Sequence, residues 1–356
     1  MTTRTQDWRA KRLILHIGAP RTGTSSIQSM LRQNRANLLQ QGVLYPETLQ
    51  RVFVAAMAPA WPSDAQQRRI GITGLRAIQG LRRSLAKTLH REVNEHRPET
   101  IIISAEQLFD RLDKGTVRRR LKQWLSAFAE RIEVLVYLRR QDQAIFSRHL
   151  NAIRLGRSET WVVPDRISKL YDYQRRLKLW VNLFGKDAVT VRAYQRQDFP
   201  EGSGVLDFLA QAGIDPAPLI PPQREHNASL DVIKAEFMTR ITDHISPAED
   251  PDSFRNDLNW VIDRVRGDWS RSTLPMRDAQ AILDLYREPN TRLSRDWSQG
   301  REFFDTTIAS EPPPSASLEI DDVIEIAAQL WTLKADQVRN LKRTVSRLKE
   351  NIRPGE

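Results

Sequence analysis

Leu13-Ile14-Leu15-His16-Ile17-Gly18-Ala19-Pro20-Arg21-Thr22-Gly23-Thr24-Ser25-Ser26 decides the fold. Leu13 to Ile17 is a short apolar run of the kind that forms a strand buried on both faces. Gly18 and Pro20 stop it in a tight turn, and the hydroxyl-rich residues after Gly23 begin a helix. A strand, a tight turn and a helix start aim several backbone N–H groups and the positive end of a helix at one point, where an anion sits. Gly18 and Gly23 allow the backbone to approach that anion closely. Arg21 adds a fixed positive charge, and Thr22, Thr24 and Ser25 add hydroxyl donors. A loop for nucleoside triphosphates reads Gly, four residues, Gly, Lys, then Ser or Thr, with the lysine on the β- and γ-phosphates. Gly18 and Gly23 have that separation, but Thr24 stands where the lysine belongs and the basic residue has moved inside the loop as Arg21. A P-loop kinase or nucleotide triphosphatase is therefore the alternative rather than the leading reading.

Three further runs read as parallel strands: Thr100 to Ser104, Ile132 to Leu138 and Ala188 to Val191. Helical segments lie between and beside them, at Ser25 to Gln40, Val117 to Glu130, Gln141 to Leu155 and Ile167 to Phe184. Strand alternating with helix predicts an α/β fold, a P-loop-type parallel sheet flanked by helices. The segment from Arg51 to Pro98 holds an irregular stretch, Ala58-Pro59-Ala60-Trp61-Pro62, and then a long arginine-rich helix; it reads equally as a lid, an acceptor-site insertion or a plain connection. Pro216, Pro218, Pro221 and Pro222 form a stiff link, after which the texture turns helical, with breaks at Ser246-Pro247 and Glu311-Pro312-Pro313-Pro314. One domain is expected over 10–310, its sheet core at about 10–215 and a helical C-terminal part at about 225–310, followed by an amphipathic helix over 320–352.

The 356 residues suffice for a sizeable core. Lys and Arg outnumber Asp and Glu by 55 to 44, a surplus of +11 that favours anionic partners. The chain has no cysteine, which excludes disulfides, thiol catalysis and zinc–thiolate sites. No His/Asp/Glu cluster at metal-ligand spacing is evident, and no metal is expected. The first twelve residues contain no apolar stretch and no run approaches the ~20 apolar residues that span a bilayer, so a cytoplasmic soluble protein is expected.

The strand Ile132 to Leu138 ends on Arg139-Arg140, and Ser147 follows eight residues after Arg139 on the next helix. A guanidinium at a strand end and a hydroxyl two turns into the following helix can converge on one phosphate, the first by a bidentate charged contact and the second by a directional one. Glu106 follows the strand Thr100 to Ser104 by two residues, at the carboxyl edge where open α/β sheets bind their ligands. His16, at the end of the first strand, is the rival for chemistry, or else a hydrogen-bonded support beneath the loop.

Pro20-Arg21-Thr22-Gly23-Thr24-Ser25 resembles the 5′-phosphosulfate loop of the sulfotransferase superfamily at all six positions: Pro, Lys or Arg, Thr or Ser, Gly, Thr, and Thr or Ser. Tyr137-Leu138-Arg139-Arg140 through Ser147 resembles the superfamily's 3′-phosphate motif. The runs Ser26-Ile27-Gln28, Asn34-Arg35 and Gly42-Val43-Leu44-Tyr45-Pro46 are similar to bacterial members, including those that sulfate carbohydrates. The resemblance spans about 13–305. It implies a donor, 3′-phosphoadenosine-5′-phosphosulfate (PAPS), held as co-substrate by Arg21, Thr22, Gly23, Thr24, Ser25, Arg139 and Ser147. It further implies a hydroxyl acceptor, expected to be carbohydrate, with Glu106 or His16 as base and Arg21 stabilising the leaving phosphate. Tyr194 is similar to a tyrosine that contacts the adenine, though a core or edge tyrosine reads as well. Arg224-Glu225-His226-Asn227-Ala228-Ser229-Leu230 resembles a bacterial segment near the 3′-phosphate, and it departs from the Gly-rich closing loop of vertebrate cytosolic enzymes.

Nucleic acid is not an expected partner, although a non-enzymatic basic scaffold remains a second alternative. In the C-terminal helix, Ile324, Ala327, Trp331, Lys334, Val338, Leu341, Val345, Leu348 and Ile352 fall on a 3-4 spacing. That is an a/d seam with one polar interruption, and it suits either self-association or packing on the chain's own domain.

Overall fold

The computed structural model describes residues 7–47, 49–58, 67, 70–72, 74–111, 115–155, 157, 160–221, 230–242, 259–260, 262–267, 274–308 and 318–352. The expected Arg224 segment up to Ser229, the breaks at Ser246-Pro247 and Glu311-Pro314, Arg68 and most of the Ala58–Pro62 stretch lie outside these residues. In chain order the elements are β1 (Ala10–His16), α1 (Thr24–Gln33), α2 (Arg35–Gln40), β2 (Val43–Leu44), α3 (Leu49–Met57), α4 (Leu75–His96) and β3 (Thr100–Ser104). They continue with α5 (Leu108–Arg111), α6 (Gly115–Leu125), β4 (Ala129–Leu138), α7 (Gln141–Arg154), α8 (Tyr173–Phe184), β5 (Val189–Ala193) and α9 (Gly204–Ala212). Further on, the described residues form helices α10 (Val232–Thr242), α11 (Met276–Leu285), α12 (Arg287–Trp297) and α13 (Ile320–Ile352).

The five strands form one sheet in the order β2-β3-β1-β4-β5, and every pairing is parallel. The expected α/β fold, a parallel sheet flanked by helices with a helical C-terminal portion, is the observed one. β1 is central because Leu13, Ile14, Leu15 and Ile17 are buried on both sides of the pleat. In register, His16 lies between Ser104 on β3 and Leu135 on β4. The chain leaves β1 towards the β2 edge and leaves β4 towards the β5 edge. The order reverses between β1 and β4, and this switch point is where such sheets open a ligand crevice.

Contacts divide the chain into two units that are not contiguous in sequence. The first comprises Met1–Ala144, Pro164–Asn227 and Gln280–Thr307 and holds the sheet. On one face Ile14, Ile102, Leu135 and Tyr137 bury against Ile27, Met30 and Leu31 of α1, Leu38 of α2 and Phe208 and Leu209 of α9. Each such side chain contributes about 1.5–3 kcal/mol on full burial. The second unit comprises Ile145–Val163, Ala228–Ala279 and Ile308–Glu356. Its core joins Leu150 and Ile153 of α7, Ile233, Phe237 and Met238 of α10, Ile326 of α13, and Ile262 and Val265 from the stretch 262–267.

Several boundaries differ from the sequence expectation. The helix expected over Ser25–Gln40 is two helices that break at Asn34. The Asn34 side chain is engaged there, donating to the carbonyls of Met30 (3.0 Å) and Ile220 (2.9 Å) and accepting from Ile220 N–H (2.7 Å). The helix expected to reach Glu130 stops at Leu125, and Ala129 and Glu130 already belong to β4. α8 starts at Tyr173 instead of Ile167, where the Asp172 carboxylate accepts from Arg175 N–H and caps it. The two-residue β2 is too short to leave a periodic signal.

Candidate functional site

The carboxyl ends of three adjacent strands carry the predicted chemistry. The loop after β1 is centre, Glu106 follows β3 on one side and Arg139 follows β4 on the other. Ala105 N–H donates to His16 O at 2.9 Å and Ile17 N–H donates to Leu135 O at 3.0 Å, so the pairing holds up to the edge itself.

Within the loop Arg21 adopts φ 68°, the left-handed region that side chains avoid, and Gly23 follows at φ 75° as the N-cap of α1. At the start of α1, Ser26 N–H and Ile27 N–H donate to Gly23 O (3.0 and 3.2 Å), and the N–H groups of Thr24 and Ser25 come before any intrahelical acceptor. The hydroxyls divide their work. Thr22 Oγ1 donates to Ala19 O at 2.7 Å and ties the loop to itself. Thr24 Oγ1 is buried without a hydrogen-bond partner, and a Cβ on Gly18 would collide with it. Ser25 is exposed at the helix start. A buried hydroxyl left unsatisfied beside a glycine costs stability unless a ligand oxygen meets it. The cradle therefore fits a phosphate or sulfate group.

Arg139 sends Nη1 to Arg21 O (3.4 Å) and Nε to Gln143 Oε1 (3.3 Å), while Tyr173 Oη donates to Arg139 O at 2.7 Å and fixes its backbone. Burial, and then the like charge of Arg21, push the Arg139 pKa down, against Tyr194, Asp142 and Tyr173. Two guanidiniums drawn together at a buried edge make a positive focus that an anion relieves. Ser147 stands further along α7, in the second unit.

Glu106 is half-buried, and desolvation raises its carboxyl pKa; the Arg21 backbone N–H, which donates to the carboxylate, and the Arg21 charge oppose the rise, while Asp110 adds to it. A carboxylate with a raised pKa beside a cationic loop is the profile of a general base.

His16 is fully buried between Tyr137 and Phe208, with Nδ1 2.8 Å from Ser104 Oγ and Nε2 lacking a partner. Gln28 Nε2 donates to Ser104 O (3.1 Å) and Oγ (3.3 Å), which ties α1 to this pair. Burial alone lowers the His16 pKa from 6.5 to about 3. The unfolded chain therefore takes up a proton below its ordinary value that the folded chain refuses until about pH 3. This contribution to stability is complete above pH 6.5 and is lost as pH falls towards 3, by about 1.4 kcal/mol per unit. Urea unfolding at pH 7 and pH 5 should show wild type losing about 2 kcal/mol more than His16→Asn. Equal losses in the two proteins would remove His16 as the titrating group.

Tyr194 N–H donates to Leu138 O (2.7 Å), and its ring is wedged between two glycines. A Cβ on Gly23 would lie 2.7 Å from Tyr194 Oη, and one on Gly204 3.0 Å from its ring. Tyr194 thus braces the phosphate loop. The sequence assigned no role to Tyr173, Gln28 or Ser104, although Gln28 stands in one of the runs similar to bacterial members. Nor did it assign one to the buried Asp207, which accepts from Tyr137 Oη (2.7 Å) and Arg192 (2.5 Å) beneath β4 and β5.

No family model matches the chain. Over 174 residues it is 30% identical to an uncharacterized protein of Archaeoglobus fulgidus, a match that covers 46% of this chain and 45% of that relative. The chain thus spans about half the length of the curated relative it matches. In a comparison of structures it is similar to the crystal structure of a sulfotransferase from Alicyclobacillus acidocaldarius, with a TM-score of 0.41 and 15% identity, over 81% of this chain and 95% of that one. No helix among the described residues is long and apolar enough to cross a membrane.

Proposed function

We propose that the chain is a sulfotransferase that moves a sulfuryl group from PAPS to an acceptor hydroxyl. The observation that carries this reading is the cationic cradle at the end of β1, with its unsatisfied Thr24 hydroxyl, between a carboxylate after β3 and a guanidinium after β4. The loop N–H groups, Thr24, Ser25 and Arg21 hold the 5′-phosphosulfate. Arg139 and, by its spacing in the sequence, Ser147 hold the 3′-phosphate. The acceptor oxygen attacks sulfur as the bond from sulfur to the phosphate oxygen breaks, in line. Glu106 takes the acceptor proton, and the departing charge of adenosine 3′,5′-bisphosphate is met by Arg21 and the helix end. His16, buried and neutral, supports the loop from beneath.

The acceptor is a carbohydrate hydroxyl on an acidic glycan. Arg76, Arg83, Lys87 and Arg91 support this reading, because they are exposed along one face of α4 and suit an anionic chain. Thr24 in place of a lysine speaks against a kinase or triphosphatase.

A thermal shift with adenosine 3′,5′-bisphosphate, ATP and duplex DNA tests the reading. Saturation at about 100 times Kd stabilises by about 2.7 kcal/mol, and only the bisphosphate should do so. Equal stabilisation by ATP would overturn it. Labelled PAPS, incubated with cell-envelope extract and followed by mass spectrometry, identifies the acceptor.

A further inference from the structure

α13 uses one face on its own unit and leaves another bare. Val323, Ile326 and Leu330 pack into the second unit's core, and Gln329 exchanges hydrogen bonds with the Arg266 backbone. The neighbouring stripe is exposed: Ile320 (76%), Ile324 (60%), Trp331 (79%), Val338 (50%), Leu341 (59%) and Val345 (48%). These residues occupy a and d positions of one heptad register that starts at Ile320 and runs through Ala327, Lys334, Leu348 and Ile352. A straight helix drifts about 20° per heptad against such a repeat, so a strict 3-4 spacing over the whole helix calls for a partner that supercoils with it.

We infer that this stripe binds α13 of a second copy of the chain in an antiparallel two-stranded coiled coil. In that arrangement apolar residues meet at every layer except the two symmetry-related ones where Lys334 meets Val338. Ile320 faces Ile352 of the second copy, Ile324 faces Leu348, Ala327 faces Val345, Trp331 faces Leu341 and Lys334 faces Val338. A parallel pair would instead stack Lys334 on Lys334 and Trp331 on Trp331. Charge points the same way. The helix begins acidic, with Glu319, Asp321, Asp322 and Glu325, and ends basic, with Lys342, Arg343, Arg347 and Lys349. Antiparallel packing sets each acidic end beside a basic one, with Asp321 opposite Lys349 at the flanking e positions; parallel packing sets like beside like.

The six exposed apolar side chains remove about 60–120 Å² each on burial, hence about 700–1,400 Å² for the pair. A specific interface needs roughly 1,000 Å². The stripe is only two positions wide per heptad and is flanked by Gln337, Lys342 and Thr344. That suits a helix partner and is too narrow for a helix lying in a lipid surface.

Light scattering on the full chain at tens of micromolar should give about twice 41.1 kDa. Leu341→Asp should halve that mass while circular dichroism stays unchanged. Because the chain has no cysteine, single-cysteine variants report orientation. Ala335→Cys should be bridged between copies by a short bismaleimide, since e positions face each other across the two-fold axis only in the antiparallel pair. Leu341→Cys should fail to form a disulfide, because like d positions meet only in a parallel pair. A monomeric wild-type chain, bridging by L341C without A335C, or a monomer that binds phosphatidylglycerol vesicles through this stripe would each overturn the proposal.

Discussion

Replacing Glu106 by Gln should lower the rate of the proposed sulfuryl transfer by about 100-fold or more, the usual share of a positioned base. Nucleotide affinity stays near wild type, because the substitution keeps the side chain's size and most of its hydrogen bonding. Glu106 stands at the strand end beside the phosphate loop, and the Arg21 N–H that donates to it fixes the carboxylate against the cradle. In the proposed reaction the acceptor loses its proton near the sulfur, and this carboxylate follows β3, on the other side of β1 from Arg139 after β4. Since burial raises the Glu106 pKa above its ordinary 4.5, activity should fall as pH drops through that raised value, with the acid limb absent from the residual activity of Glu106→Gln. Transfer rate and nucleotide dissociation constant, measured in parallel, give the answer. Near-normal turnover in E106Q would move the assignment to His16, despite its burial.

Arg139→Ala weakens binding of adenosine 3′,5′-bisphosphate by about 1.5–3 kcal/mol, from tenfold to more than a hundredfold, and binding of adenosine 5′-phosphate far less. The Arg139 guanidinium is held at the edge by a backbone carbonyl and a neutral glutamine, with the charge of Arg21 nearby. The loss therefore falls on whatever anion those cations share. Ser147→Ala should cost less, since it removes a neutral donor. Calorimetry that finds equal losses for the two nucleotides would refute the 3′-phosphate assignment.

Strands were legible where burial on both faces leaves an unbroken apolar run: Thr100–Ser104 matches the expected bounds, and the ends of β4 and β5 moved by only a few residues. The tight loop between β1 and α1 was legible because Gly18 and Pro20 stop an apolar run just ahead of a hydroxyl-rich helix start. Helix ends were less so. Asn34 ends α1 through contacts with Ile220, which stands 186 residues away, and no local pattern encodes such a partner. The roles inside the loop were also invisible. Thr22 and Thr24 read alike in sequence, yet one hydroxyl closes the loop and the other is buried without a hydrogen-bond partner. Tyr194 likewise read as an adenine contact or a core residue, and its place between two glycines follows from the packing of α9.

The two margins of the sheet have a consequence for solubility. A strand margin with free N–H and C=O groups invites another chain to add a strand, and long flat margins seed aggregates. Here one margin is β2, only two residues long, which offers too little ladder to extend. The other is β5, where Arg192 turns inward onto the buried Asp207, so an intruding strand would have to pack over a committed charge pair. Strand addition is blocked at both sides by these devices, one a matter of length and the other of charge.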